Sequence, residues 1–215
     1  MMISTRTTLS RSDLRLRQES ARPELALSAR RKVDIIWNVT LVCAWDCSMC
    51  CVDAVHVSKC DGQIVVRCEG LSRVDVVPFV AGAGSAFDQV LRARQLRGLE
   101  LDLAGKLHVL DHLAGYDVKM EFSGGDMLAV SENLEVLRAA TERFGREQIT
   151  LTATGAGISR YDAGEIAPFI GEFNFTYDSI DFDGKEIRPD GYSTGNLRKA
   201  IEFARLGVST RAECP

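Results

Sequence analysis

The sequence lacks any apolar run long enough to cross a bilayer. Its longest mostly apolar stretch is Val76 to Phe87, and Pro78 interrupts it, whereas a membrane-spanning helix needs about 20 consecutive apolar residues. The first residues also lack the apolar segment of a secretory signal. We therefore expect no transmembrane helix, no membrane partner and a cytoplasmic location.

A strong excess of one charge is also missing. The 215 residues carry a formal net charge of -4, which gives no reason to expect binding to nucleic acid. The apolar share of 46% and the charged share of 26% are near those of ordinary folded domains, so disordered and collagen-like chains are excluded. The length is enough for one large domain or two small ones.

The beginning of the chain differs in composition from the rest, because residues 1–31 are rich in Arg, Ser and Thr. An organelle transit peptide has a similar composition, but Asp13, Glu19 and Glu24 weaken that interpretation, since transit peptides are poor in acidic residues. The alternative is an arm or an extra helix packed on the domain. We expect a basic N-terminal extension over residues 1–31 and a core domain over residues 32–215.

The cysteines are distributed unevenly. Seven are present, and four of them lie within nine residues. Because the number is odd and a secretory signal is missing, a disulfide framework is the weaker interpretation. Clustered thiols favour metal or redox chemistry in a reducing compartment. The cysteines are Cys43, Cys47, Cys50, Cys51, Cys60, Cys68 and Cys214.

Strand and helix patterns alternate along most of the chain. Val33 to Val42 alternates as a strand does, and Thr194 to Leu206 is amphipathic and ends at Gly207. The alternation predicts parallel βα units, arranged as a barrel or as an open sheet. Five strands are expected with no helix after the last, which indicates a small domain or the front part of a longer protein. The other predicted segments are strands at 117–123, 148–153, 173–177 and 208–213, helices at 85–97, 102–114, 128–144 and 163–170, and a hairpin arm at 64–68.

The sharpest motif is Cys43-Ala-Trp-Asp-Cys47-Ser-Met-Cys50, which has the form C-x3-C-x2-C and follows the first predicted strand. Three thiolates at these spacings can hold one face of a small metal centre. A structural zinc site takes a fourth ligand, and ferredoxin-type clusters usually take four cysteines. Three ligands leave one metal corner open for a ligand to bind and react.

This motif resembles the signature of the radical S-adenosylmethionine (radical SAM) enzymes, and the resemblance covers residues 33 to 215. Ser123-Gly124-Gly125-Asp126 is similar to the Gly-Gly-Glu turn of that family, with Asp in place of Glu. Thr152 to Gly155 and Tyr177 to Asp181 end later strands, where many members carry Thr-Asn-Gly and Ser-x-Asp. Arg188 follows at about the distance of an Arg common in that loop.

The resemblance implies an α/β fold, a partial (β/α)6 TIM-like barrel that is incomplete at the C-terminus. It also implies an insertion after the first strand, at about residues 56–80. Cys43, Cys47 and Cys50 are then the ligands of a [4Fe-4S] cluster whose fourth iron binds SAM. In the family, reductive cleavage of SAM gives a 5′-deoxyadenosyl radical, which takes a hydrogen atom from the substrate.

The resemblance also implies the contacts to SAM and the partners. Gly124 and Gly125 let the backbone come close to SAM, Asp126 accepts a hydrogen bond from its ammonium, and Met49 packs on the adenine. A small-molecule or peptide substrate and a low-potential electron donor such as flavodoxin or ferredoxin complete the expectation; no catalytic side chain is identified. The expected contacts to SAM are Met49, Ser123, Gly124, Gly125, Asp126, Thr154 and Ser179.

Other interpretations of the same residues stay open. A structural zinc site can use the three motif cysteines with Cys51, Cys60 or His56, in a module without SAM chemistry. Another possibility is a fragment that holds the cluster but does not turn over. Cys60 and Cys68 can meet across a hairpin as a second metal site, but ordinary thiols are the preferred interpretation. His108 and His112 are spaced as helix ligands, but exposed histidines are preferred. The segment 178–181 contacts SAM or the substrate, or caps the segment after it.

Overall fold

The computed structural model describes residues 31–47, 50–68, 73–177 and 191–213. Nearly all of the expected N-terminal extension therefore lies outside the described residues. Nine strands and six α-helices form within the described ones. The strands are β1 (Lys32–Thr40), β2 (Val42–Cys43), β3 (Val55–Cys60), β4 (Gln63–Cys68), β5 (Arg73–Pro78), β6 (Asp117–Gly124), β7 (Ile149–Thr152), β8 (Glu172–Thr176) and β9 (Ser209–Glu213). The α-helices are α1 (Ala86–Leu96), α2 (Leu103–Leu113), α3 (Asn133–Phe144), α4 (Gly155–Ile158), α5 (Ala163–Ile166) and α6 (Tyr192–Arg205).

Five strands form a parallel sheet in the order β1-β6-β7-β8-β9. Its main core lies on one face, where alternate strand residues such as Met120, Leu151 and Phe173 are fully buried. Helical side chains including Leu137 and Phe203 pack on that face. Each such side chain contributes about 1.5–3 kcal/mol when it is buried. The opposite alternation is polar, with Glu121, Thr150, Thr152 and Asn174.

A second sheet, in the order β2-β3-β4-β5, occupies the stretch between β1 and β6. Its hairpin turns at Asp61 and Gly62, whose φ angles of 49° and 74° are those of a two-residue turn between right-twisted strands. The predicted hairpin is thus confirmed. A smaller core joins this sheet to α1 through Val57, Ile64 and Val90.

The expected partial (β/α)6 barrel is wrong. The five parallel strands follow one another in space, and within the described residues β1 and β9 stay at opposite edges of an open sheet. The four-stranded sheet is a separate mixed layer rather than part of a barrel wall. The alternation of strands and helices did not predict the architecture correctly, because open parallel sheets and barrels both show it. Closure depends on strand stagger and tilt, which the alternation does not encode.

Local signals marked the helix ends well. Ser85 and Asp88 form a reciprocal capping box at the start of α1, and Asp102 caps α2 with a 2.8 Å hydrogen bond from the amide of Gly105. Gly145, with φ of 87°, follows the last residue of α3. The helix predicted at 128–144 is shorter, because a 3-10 turn and an extended residue precede α3. The longest helix in the described part of the chain has 14 residues, and none there combines the length and apolarity needed to span a bilayer.

The capping carboxylate of Asp88 also joins α1 to the segment before α3, which leads to our first prediction. It accepts hydrogen bonds from the backbone and hydroxyl of both Ser85 and Ser131. Partial burial opposes ionisation, but these hydrogen bonds outweigh it and hold the pKa of Asp88 below its usual value. We expect Asp88→Asn to lower the free energy of unfolding by about 1–2 kcal/mol at pH 7.

The loss should shrink as the pH falls below about 4, because the wild-type carboxylate then becomes protonated as well. Urea unfolding at pH 7 and pH 3 measures both values. Asp117→Asn is the matched control, since Asp117 is an exposed carboxylate at the start of β6, and it should unfold like the wild type. An equal loss for Asp88→Asn at both pH values would contradict the role of the charge.

Candidate functional site

A cavity of about 170 Å³ lies at the carboxyl ends of the parallel strands, and we call it the cysteine cavity. Its wall brings together the three motif cysteines and the end of β6 with Gly125, although these are far apart in the sequence. The carboxyl ends of parallel strands are the usual place for ligand sites in α/β folds. Of the expected site residues, Cys43, Cys47, Cys50, Ser123, Gly124, Gly125 and Thr154 line it.

The three motif thiols differ in exposure. Cys43 lies in β2 and is buried, Cys47 is half-buried and Cys50 is exposed; all three are free. Burial, followed by the nearby Asp126, raises the pKa of Cys43 to about 12. The sulfur atoms accept hydrogen bonds from the chain itself, from the amide of Trp45 to Cys43 and from the amide of Ala54 to Cys50. A bound metal cation would convert such thiols to thiolates, because coordination to a metal removes the thiol proton.

The thiol groups of the three motif cysteines are suitable metal ligands, although in the described part of the chain they do not lie close enough together to form a metal centre. Within the described residues, no group of three or more His, Cys, Asp or Glu side chains is placed to hold a metal ion. Sulfur donors suit zinc and iron–sulfur centres. The wall also carries Thr154, whose buried hydroxyl lies beside the carboxylate of Asp126 and opposes the rise that burial causes in the pKa of that carboxyl.

Gly124 and Gly125 are glycines because of a close backbone approach. Gly124 has a φ of 128°, and a Cβ there would collide with the carbonyl oxygen of Thr40. A Cβ at Gly125 would lie 2.5 Å from the carbonyl oxygens of both Leu41 and Val42. The amide of Gly125 instead donates to the carbonyl of Thr40 at 2.8 Å. The two glycines therefore hold the end of β6 against the chain that leads to Cys43.

Asp126 does not line the cysteine cavity. Its side chain is fully buried, and its Oδ2 accepts a 2.6 Å hydrogen bond from the amide of Gly157 in α4. A Cβ at Gly157 would collide with the same carboxylate. Burial raises the pKa of Asp126 to about 6, although the Thr154 hydroxyl and the Gly157 amide lower it. In the described structure this carboxylate holds α4, and its predicted contact with the SAM ammonium stays a prediction.

Several expected residues lie outside the described ranges. Met49 and Ser179 are among them, and so are Cys214, Arg188 and the segment 178–181. The cavity wall instead contains residues that the sequence did not single out: Trp45, Thr176, Tyr192 and Glu213. Glu213 and Thr176 are paired in register at the ends of β9 and β8. Ligand sites in parallel sheets lie at the carboxyl ends of the strands. That rule could have identified Thr176 and Glu213 from the sequence.

The aromatic pair has no comparable sequence signal. The rings of Trp45 and Tyr192 meet edge to face with centroids 5.3 Å apart, which joins the cysteine loop to the start of α6. The indole nitrogen of Trp45 is buried and unpartnered within the described residues. Tyr192 is the first residue of α6 and follows no strand end directly, so strand order does not predict its position.

The other thiols and histidines resolve into separate roles. Cys51 lines the cysteine cavity, whereas Cys60 does not. Cys60 is opposite Gln63 in the hairpin and Cys68 lies five residues further along β4, which is about 17 Å, so the idea that they meet across the hairpin is wrong. The predicted exposure of His108 and His112 is confirmed; their rings touch, and His112 Nδ1 lies 2.9 Å from the carbonyl oxygen of His108.

His56 is buried next to the motif and faces Cys43 in the pairing of β2 with β3. Burial lowers the pKa of His56, and its Nδ1 has no partner within the described residues. It does not line the cysteine cavity. His56 therefore packs behind Cys43, where burial disfavours its charged form.

The backbone approach at Gly125 leads to a second prediction. We expect Gly125→Ala to lower the free energy of unfolding by about 2–3 kcal/mol, because the new methyl group meets two carbonyl oxygens that cannot both move. Gly164→Ala is the control, since nothing lies within 4 Å of a Cβ there, and an added methyl in a helix is neutral or stabilising by up to about 1 kcal/mol. Urea unfolding of both variants measures the difference, and a wild-type stability for Gly125→Ala would contradict the packing.

Burial of Asp126 leads to a third prediction. Its folded pKa lies above its unfolded value, so the folded state holds the proton more tightly and stability falls as the pH rises from about 4 to 6. We expect Asp126→Asn to remove this loss, because Asn stays neutral and its amide oxygen can still accept the Gly157 amide. In the metal-free protein, the stability of the variant relative to the wild type should rise by up to about 3 kcal/mol between pH 4 and pH 7. A difference that is the same at both pH values would refute the burial argument.

No protein-family model matches the chain, and no curated protein matches it.

Proposed function

We propose that the chain is a radical SAM enzyme in which Cys43, Cys47 and Cys50 hold a [4Fe-4S] cluster and the cysteine cavity receives SAM. The observation that carries the proposal is the shared cavity. The three motif cysteines, the Ser123-Gly124-Gly125 segment and Thr154 line one wall, in support of the roles that the motif resemblance implies for them. The proposal needs the site alone, and not a closed barrel. It also requires the cavity to widen from about 170 Å³, because sites for molecules of this size measure about 300–1,000 Å³.

The cluster and SAM, when bound, would together supply the chemistry of hydrogen abstraction from an unactivated carbon. The chain's own residues do the rest. Gly125 fixes the loop beside Cys43 by the hydrogen bond to Thr40. Thr154 lines the cavity, and its hydroxyl lies beside the carboxylate of Asp126. Trp45 and Tyr192 line the cavity and contact each other edge to face, which joins the cysteine loop to the start of α6.

Asp126 acts in this proposal by positioning. It holds the amide of Gly157, and so fixes the turn that follows Thr154. Met49 and Ser179 remain proposed contacts to SAM. Free thiols favour a reducing compartment, so we propose a cytoplasmic enzyme that acts on a small-molecule or peptide substrate and receives electrons from flavodoxin or ferredoxin.

A structural zinc site is the second candidate, and the position of Cys51 favours it. Cys51 lines the same cavity as the three motif cysteines, so four thiols are available within one loop, as in a zinc site with four cysteine ligands. Cys60 and His56 are less suitable as the fourth ligand because neither lines the cavity. Cys51 therefore distinguishes the two candidates: it is a ligand in the zinc site and dispensable in the cluster site.

The fourth prediction tests this choice. We reconstitute the chain anaerobically with iron and sulfide, add SAM and dithionite, and measure 5′-deoxyadenosine together with iron and zinc content. The wild type should hold four irons and form 5′-deoxyadenosine. Cys47→Ala should lose both, whereas Cys51→Ala should keep both, and Cys60→Ala controls for loss of an exposed thiol outside the cavity.

Each other outcome has a definite meaning. One zinc per chain, lost in Cys51→Ala, would establish the structural site and refute the enzyme. A four-iron cluster without 5′-deoxyadenosine, in a folded chain, would refute SAM cleavage by this chain and leave an iron–sulfur module.

A further inference from the structure

A second and larger cavity lies between the four-stranded sheet and α1, and we call it the sheet–helix cavity. Its volume is about 510 Å³, which is within the range of sites for small molecules. The site proposed for SAM does not include it. Apart from Cys43, the strand residues that line the cysteine cavity belong to the parallel sheet, whereas those that line the sheet–helix cavity belong to the four-stranded sheet. α1 packs against this sheet through Val90 and Leu91, which are buried in the smaller core.

The walls of this cavity are mainly apolar. Val55, Ile64 and Val66 contribute from β3 and β4, and Val90 and Ala93 contribute from α1. Val55, Ile64 and Val90 are buried at 5% exposure or less, so they form a packed floor. An aliphatic or aromatic group placed here would exchange water for these side chains, which is the main source of affinity in such pockets.

The polar groups at the rim leave one positive charge uncommitted. Arg94 donates to Glu100 at 2.7 Å, and Arg73 lies 3.4 Å from Asp75. Asp53 also lines the cavity and has a partner of its own. Arg97, by contrast, has no ion pair or hydrogen bond through its guanidinium within the described residues, and it lines the cavity. Among the described residues of the rim, the unpaired charge is therefore the positive charge of Arg97, next to the apolar walls.

We propose that the sheet–helix cavity binds a small amphipathic anion, with an aliphatic or aromatic body against the valines and a carboxylate at Arg97. A guanidinium presents a fork of donors that matches a carboxylate. The proposal stands independently of the metal chemistry, because it uses none of the motif cysteines.

Decanoate is the probe and decanol is its uncharged counterpart, both titrated by calorimetry into the full chain. We expect saturable binding of decanoate. Arg97→Leu should weaken decanoate about twofold to fivefold, as expected for an exposed ion pair, and should leave decanol unchanged. Arg92→Leu is the matched control, since Arg92 is an exposed arginine on α1 that does not line the cavity, and it should change neither affinity.

A measurement on the wild type makes the test independent of any variant. Cys68 is half-buried and lines the cavity, whereas Cys60 is exposed and does not. Decanoate should slow alkylation of Cys68, with the same midpoint as the calorimetric titration, and should leave Cys60 unaffected. Absence of saturable binding, unprotected Cys68, or equal weakening by Arg97→Leu and Arg92→Leu would each overturn the proposal.

Discussion

The architecture depends on the close approach between the end of β6 and the backbone of residues 40–42. Two hydrogen bonds of 2.8 Å fix it, from the amide of Gly125 to Thr40 and from the amide of Asp126 to Val42. The chain passes from the parallel sheet into the four-stranded sheet at this point, so the contact holds the two sheets together. Glu100 secures the same segment from the other side by accepting from the Thr40 hydroxyl and pairing with Arg94. Only glycine allows this approach, and the position of Cys43 follows from it.

A buried carboxylate next to this contact carries a second constraint. Asp126 follows the glycines and is fully buried, which costs free energy unless the charge is compensated. The Thr154 hydroxyl and the amides of Gly157 and Leu128 compensate it in part, and the pKa of Asp126 still lies above its usual range. The result is a rigid link from β6 to α4 that places Thr154 in the wall of the cysteine cavity. An apolar residue would fill the same space but could not hold the Gly157 amide.

Local features of this fold were predictable from the sequence, and its closure was not. A few neighbouring residues determine each of these local features, because each depends on one or two hydrogen bonds or on a positive φ. They are the helix caps at Ser85 and Asp102 and the turn at Asp61-Gly62. The grouping of the motif cysteines with Ser123 and Thr154 was predictable from strand ends. The barrel was not, because strand alternation is the same in both architectures. The glycine pair was identified, but its close neighbour is the backbone of residues 40–42, which no local pattern reveals.

The two cavities share one piece of chain. Between the motif and β3, Cys50, Cys51, Val52 and Ala54 line the cysteine cavity, whereas Asp53 and Val55 line the sheet–helix cavity. A turn at residues 51–52 and the positive φ of Asp53 direct these side chains to the two cavities, so an occupant of either cavity contacts the same short segment of backbone. Asp53 holds a φ of 50°, which Asp tolerates better than most residues, and the amide of Val55 is fixed to Leu41 at 2.7 Å. Coupling between two binding sites is reciprocal. If an occupant beside Val55 orders this segment and so strengthens metal binding at Cys50, then metal binding at Cys50 strengthens binding of that occupant by the same factor.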